Sequence, residues 1–298
     1  MKIERLLVAV DFSDTATAAA RYAVEHFAPG AEVVLLHVID PPARPRFARD
    51  VLPPEDALEA MAREFAAKRS VQIASSLPSG VRSRVEVRVG KPDEVIASTA
   101  DDVDASIVVI GPHGDRPRPW RFLGTTADRV VRTSPVPVLV ATAPTPHPAR
   151  RILVPVDDDS ATSPVLEWTR ELAGQFDADV ILLHVWSNAV YSHVASMSYA
   201  EKRTEADARR EIESELRGAA QHWLNHVART GLPRERVTST VAWGKTGDVA
   251  LETVESSGAE LIVLGRNGTG LVSGAILGRT TATVLHGARC PVFVVTKG

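Results

Sequence analysis

Three glycines and a threonine in the segment GPHGDRPRPWRFLGTT have the types and spacing of a phosphate cradle. Two residues separate Gly111 from Gly114, nine separate Gly114 from Gly124, and Thr125 follows directly. A polyphosphate must be met by many N–H donors at close range. Glycines let the backbone approach with no Cβ in the way, and a helix N-terminus adds unpaired N–H groups and a favourable dipole. A helix is expected to begin at about Gly124, with the Thr125 hydroxyl as a further donor. The segment also holds residues that work against such a cradle. Pro117 and Pro119 supply no N–H, and Asp115 puts a negative charge beside the expected phosphate path. Arg116, Arg118 and Arg121 either compensate for that charge or face water.

A related stretch, LGRNGTGLVSGAILGRTT, lies in the second half of the chain. Gly265, Gly268 and Gly278 keep the same spacing, with Gly270 and Gly274 between them. Arg279 stands where the hydroxyl residue belongs, and Thr280 and Thr281 follow. Arg279 either pairs with a phosphate or fills the site with its bulk. A second helix is expected to begin at about Gly278.

These two stretches belong to a repeat that runs through the whole chain. RLLVAVD at Arg5 to Asp11 returns as RILVPVD at Arg151 to Asp157, and VVLLHV at Val33 to Val38 as VILLHV at Val180 to Val185. VGKPDEV is echoed by WGKTGDV, ASIVVIG by AELIVLG, and PVPVLV by RCPVFV. Such correspondences, kept in order, mean duplication. We expect one domain over residues 1–143, a proline-rich linker over 144–150 and a second domain over 151–298.

The elements that must position the glycines follow from periodicity. Short runs rich in Val, Ile and Leu, with little polar alternation, are strands buried on both faces of a parallel sheet. Helical spacing is expected over Thr15 to Phe27, capped by Ser13 or Asp14, over Glu55 to Leu77, and over about Tyr199 to Arg229. The result is an α/β protein of two tandem doubly wound, Rossmann-like domains, each a five-stranded parallel sheet with helices on both faces. Ligands of such sheets bind beyond the carboxyl ends of the strands where the winding reverses. Asp11 and Asp157 end the first strand of each copy there, and Gly111 and Gly265 end the fourth.

Composition removes several function classes. The 298 residues are 44% apolar and 24% charged, with a net charge of -3, so there is no basic footprint for nucleic acid or an anionic membrane. The single cysteine, Cys290, lies in an apolar run and is expected to be core. With no signal peptide at the N-terminus and no membrane-length apolar run, the expected location is the cytoplasm. His37 and His184 occupy matching strand positions and are expected to be structural. His222 and His226 have a metal-capable spacing on a helix but no third ligand, so no metal site is expected. Trp168, Trp186 and Trp223 are expected to pack, whereas Trp120 could cover a ligand or a partner. The sequence has neither a nucleophile elbow nor a P-loop lysine, nor the histidine motif of nucleotidyl transferases. Catalysis is therefore expected to be at most slow.

LLVAVDFSDTA, VVLLHVID, IGPHG followed after nine residues by GT, and SPVPVLV together resemble the universal stress proteins. The resemblance covers both copies, which makes the chain look like a tandem member similar to the ATP-binding branch. It implies that Asp11 and Val38 touch adenine, that Gly111 lies by the ribose, and that Gly114, Gly124 and Thr125 hold phosphates. In the second copy the matching positions are Asp157, Val185, Gly265, Gly268 and Gly278, with Arg279 and Thr280 following. Asp159 stands where the first copy has Ser13, adding a carboxylate near that edge. The implied cofactor is ATP, with or without Mg²⁺, which would relieve repulsion between carboxylates and phosphates. The resemblance also implies an unknown protein partner and pairing through the fifth strand. That pairing is either an intramolecular pseudo-dimer of the repeats or a homodimer. The expected function is that of a nucleotide-binding stress sensor. The alternatives are a nucleotide-independent interaction protein and a weak ATPase.

Overall fold

The computed structural model describes residues 3–40, 54–114, 123–142, 146–157, 162–186, 205–229, 232, 234–266 and 277–296. The sequence features at Asp115 to Arg121, Asp159, Gly268, Gly270 and Gly274 lie outside these residues. The chain folds as two compact units. One comprises Met1–Pro148 with the C-terminal Arg289–Thr296, and the other Ala149–Ala288.

In the first unit the strands are β1 (Arg5–Ala9), β2 (Glu32–Ile39), β3 (Ser83–Val89), β4 (Ile107–Ile110) and β5 (Val138–Val140). They lie in the order β3-β2-β1-β4-β5, and every pairing among them is parallel. Leu7 is opposite Val34 on one side and Val108 on the other, so the winding reverses at β1. The apolar runs of β1, β2, β4 and β5 are buried on both faces, with Leu6, Leu7, Leu35, Ile107 and Leu139 fully enclosed. Strand β3, at the sheet edge, is only partly buried, and its arginines and glutamate fit that place. A further strand, β10 (Val292–Val295), pairs antiparallel with β5, Phe293 opposite Leu139, and Phe293 packs against Phe27 at 5.3 Å between ring centroids.

The helices are α1 (Asp14–Tyr22), α2 (Glu55–Ser76), α3 (Pro92–Asp102) and α4 (Thr125–Thr133). The Ser13 side chain caps α1 by accepting from the Ala16 N–H at 3.1 Å. Helix α1 runs on into a π-helical turn, Ala23–Phe27, so the segment expected as one helix is continuous but changes pitch near its end. Helix α4 begins one residue after Gly124, where the glycine spacing places it.

The second unit repeats this plan. Strands β6 (Arg151–Pro155), β7 (Asp179–Trp186), β8 (Val237–Trp243) and β9 (Leu261–Gly265) take the order β9-β6-β7-β8, all parallel. Helices α5 (Thr162–Phe176), α6 (Glu205–Arg229), α7 (Thr246–Ser257) and α8 (Arg279–Gly287) accompany them. His222 and His226 are exposed on α6. Cys290 is buried, as its apolar setting implies. No described helix is long and apolar enough to cross a membrane.

The correspondence between the copies reaches single hydrogen bonds. Gly90 and Gly244 each follow an edge strand and lead into a helix, with φ of 145° and 139°. Their N–H groups donate to Ile39 O and Trp186 O, both at 3.0 Å. A Cβ at either position would lie 2.8 Å from the valine five residues on, Val95 or Val249. Both the backbone and the space therefore demand glycine. Gly90→Ala is expected to destabilise the protein by about 1–3 kcal/mol, the usual cost of forcing a side chain into such a region. Urea unfolding of the full chain measures it.

Candidate functional site

At the reversal between β1 and β4 the first unit opens into a cavity of about 410 Å³. That volume lies within the range of about 300–1,000 Å³ typical of small-molecule sites. Asp11, Val38, Gly111, Gly114, Gly124 and Thr125, the six residues singled out in the first copy of the sequence, all line it. Val10, Leu36, Val38, Ile96 and Ile110 make an apolar slot. Asp11, the turn from Gly111 to Gly114, and the first residues of α4 make a polar rim. Pro92 and Ile96 reach the cavity from α3 and were not anticipated. The repeated VGKPDEV/WGKTGDV pattern marked that segment, but its periodicity does not say which element its inner face meets.

Hydroxyl groups tie the loop after β1 to the loop after β4. Ser13 is 1% exposed, and its hydroxyl lies 2.5 Å from Asp11 Oδ1, which also accepts the Ser13 N–H at 3.1 Å. The Asp11 carboxylate is thereby fixed at the cavity rim. Thr15 Oγ1 is 3.0 Å from Ser13 Oγ and donates to His113 O at 2.6 Å. Phe12, between Asp11 and Ser13, takes a left-handed conformation with φ of 68°, rare for a residue of its bulk. There it stacks on His37 at 4.2 Å, meets the edge of Phe65, and lies under the Arg69 guanidinium at 5.7 Å.

His37, on the cavity wall, has its Nδ1 2.7 Å from Val10 O. A carbonyl only accepts, so Nδ1 carries the proton and Nε2 is bare in the neutral ring. His184 repeats the contact to Val156 O at 3.1 Å, so the matched histidines are structural pins between the first and second strands of each copy. Burial lowers the His37 pKa from its usual 6.5, against smaller opposing effects of the Val10 carbonyl and Asp11.

The rim glycines allow close approach. A Cβ on Gly114 would collide with Asp11 Oδ2. Gly124 N donates to Pro112 O at 2.7 Å, closing the loop after β4 onto the start of α4. The second unit keeps this closure, since Gly278 N donates to Arg266 O at 2.9 Å. Asp157 lies just beyond β6, Val185 in β7, and Gly265 at the end of β9. Gly278 caps α8, whose first two residues are Arg279, exposed, and Thr280. Thr281, 2% exposed, donates to Gly265 O at 2.8 Å, a bond that spacing alone did not flag. Around His184 the second unit gathers Trp186 at 5.4 Å and Trp223 at 5.5 Å, and Trp186 faces Trp243 at 6.2 Å. Trp168 is buried elsewhere in that unit.

A doubly wound unit written twice, with a glycine-rimmed crevice at the switch point of the first copy, has a Rossmann-like α/β form. Comparison with known proteins makes the assignment specific. The universal stress protein family matches residues 2–142 and again 148–296, and the chain belongs to this family as a tandem member. A universal stress protein of Mycolicibacterium smegmatis is 26% identical, covering 97% of this chain and 96% of that protein. One from Mycobacterium tuberculosis is 26% identical over 65% of this chain, and the match spans 62% of its length. A universal stress protein structure from Archaeoglobus fulgidus covers 100% of this chain and 97% of its own, with a TM-score of 0.62 at 19% identity, which supports the fold.

The His37 environment has a pH consequence. Its folded pKa lies below the unfolded value of 6.5, so the unfolded chain takes up the proton first. The stability tied to neutral His37 is complete above about pH 6.5 and is lost as pH falls from there through the folded pKa. His37→Gln is expected to flatten the decline in urea midpoint between about pH 7 and pH 5.

Proposed function

We propose that this protein is an ATP-binding sensor or regulator in which nucleotide occupancy, rather than turnover, carries the signal. The observation that supports this most is convergence. Residues read from sequence spacing alone, Gly111, Gly114, Gly124 and Thr125, meet Asp11 and Val38 in one cavity. An apolar slot beside a glycine-rich rim suits a planar base joined to phosphates. On this reading Asp11 and Val38 contact adenine and Gly111 lies by the ribose. Gly114, Gly124 and Thr125 then receive the phosphates at the start of α4.

The cavity suits such a group, because Gly114, without a side chain, lets the backbone of the turn lie close against the Asp11 carboxylate at the cavity rim. Mg²⁺ would be a natural companion, relieving the repulsion between the phosphates and nearby carboxylates. In the second repeat Asp157, Val185, Gly265, Gly268, Gly278, Arg279 and Thr280 are the corresponding contacts. There Arg279 substitutes a charged fork for the Thr125 hydroxyl. The binding units are the repeats, residues 1–143 and 151–298, separated by the proline-rich 144–150. The protein acts in the cytoplasm, with nucleotide occupancy altering a surface presented to a protein partner. Pairing through the fifth strands, within one chain or between two, would carry that signal across repeats.

Ligand that binds only the folded state raises stability by about 2.7 kcal/mol at one hundred times Kd. ATP with Mg²⁺ is therefore expected to raise the thermal midpoint of the full chain. Gly114→Val is expected to reduce this shift while leaving the far-ultraviolet circular dichroism intact. A wild-type protein whose midpoint does not move with ATP and Mg²⁺ would favour a nucleotide-independent interaction protein. Steady ADP release, lost in the same variant, would favour a slow ATPase.

A further inference from the structure

Among the described residues, the two repeats tie the residues around their first loop glycine, Gly111 or Gly265, by different hydroxyl bonds. In the first, Thr15 at the start of α1 donates to His113 O, in the turn between Gly111 and Gly114. In the register that aligns Asp11 with Asp157, the residue matching Thr15 is Ala161, which has no hydroxyl. In the second repeat, Thr281 of α8 donates to Gly265 O from the other side of the loop. The register that aligns Gly111 with Gly265 places Ala127 opposite Thr281, again without a hydroxyl. Among the described residues, each repeat thus has its own tie, and the ties have changed sides. The backbone closure from the helix cap to the loop, Gly124 to Pro112 and Gly278 to Arg266, is common to both.

We propose that Thr15 is a positioning residue of the first site. Its hydroxyl locks the Gly111–Gly114 turn against the loop that carries Asp11, so that the two walls of the crevice form one preorganised surface. The consequence is two non-equivalent sites in one chain, the first of which depends on a threonine bond behind the cavity, where the two loops that wall it pack together. The bond is part of a connected set. Thr15 Oγ1 also lies 3.0 Å from Ser13 Oγ, whose own proton goes to the Asp11 carboxylate, so the two hydroxyls pack side by side while each donates to a different wall. Thr15 itself does not line the cavity, so it acts through His113.

The affinity consequence rests on the nucleotide reading above, whereas the loop-anchoring consequence does not. The test uses the full chain and the variants Thr15→Val, Thr15→Ser and Thr281→Ala. Without nucleotide, amide hydrogen exchange over Gly111–Gly114 is expected to be faster in Thr15→Val than in wild type and restored in Thr15→Ser. In NMR titrations with ATP and Mg²⁺, the Gly111, Gly114 and Gly124 amides report the first site. Thr15→Val is expected to weaken that site about 3- to 10-fold, the range of one lost hydrogen bond. Thr15→Ser and Thr281→Ala are expected to leave it unchanged. Unaltered exchange in Thr15→Val overturns the proposal. So does equal weakening by Thr281→Ala, or wild-type affinity in Thr15→Val. If wild type binds no ATP, the nucleotide reading fails while the exchange comparison still decides whether Thr15 anchors the loop.

Discussion

Everything proposed for this protein depends on the reversal of strand order at β1. A parallel sheet whose chain winds one way to β2 and β3 and the other way to β4 and β5 must leave two loops diverging from its centre. One carries Asp11 and the other Gly111 to Gly114. In such sheets the helices that follow the two strands leave on opposite faces, so a space remains between the loops. The crevice follows from topology, and the side chains only decide what it accepts.

The loops themselves show how much local structure is spent on shaping that space. Phe12 is left-handed, Ser13 is buried with its hydroxyl on Asp11, and a side chain at Gly114 would have to displace the same carboxylate. A left-handed phenylalanine costs about 1–2 kcal/mol relative to ordinary backbone. Here stacking on His37 and the Arg69 contact help to offset it. Local preference is overridden where the crevice needs it, the usual pattern around functional sites.

Much of this was legible in the sequence for identifiable reasons. Uninterrupted runs such as VVLLHV, alternating with helical stretches, suit strands buried on both faces of a parallel sheet. Two copies of each run supplied an internal check on the element order. The starts of α4 and α8 followed from glycine spacing, because Gly124 and Gly278 end the loops that a helix must follow. Facing was harder to read. Pro92 and Ile96 lie on a helix whose apolar side could have met any part of the sheet, yet they wall the cavity. Thr15 and Thr281 look like ordinary helix-start residues, and only the folded chain shows which hydroxyl reaches which carbonyl. The antiparallel register of β10 on β5, Phe293 opposite Leu139, was also hidden, because an apolar edge strand announces that it needs a partner but not the alignment.

The central claim is that the crevice beside β1 holds an adenine nucleotide. The most direct measurement is mass analysis of small molecules released by denaturing the full chain after purification without added ligand. An adenine nucleotide is expected from wild-type protein, and a reduced amount from Gly114→Val. Release of no nucleotide from wild type, together with no uptake of ATP and Mg²⁺ on subsequent equilibrium dialysis, would contradict the claim.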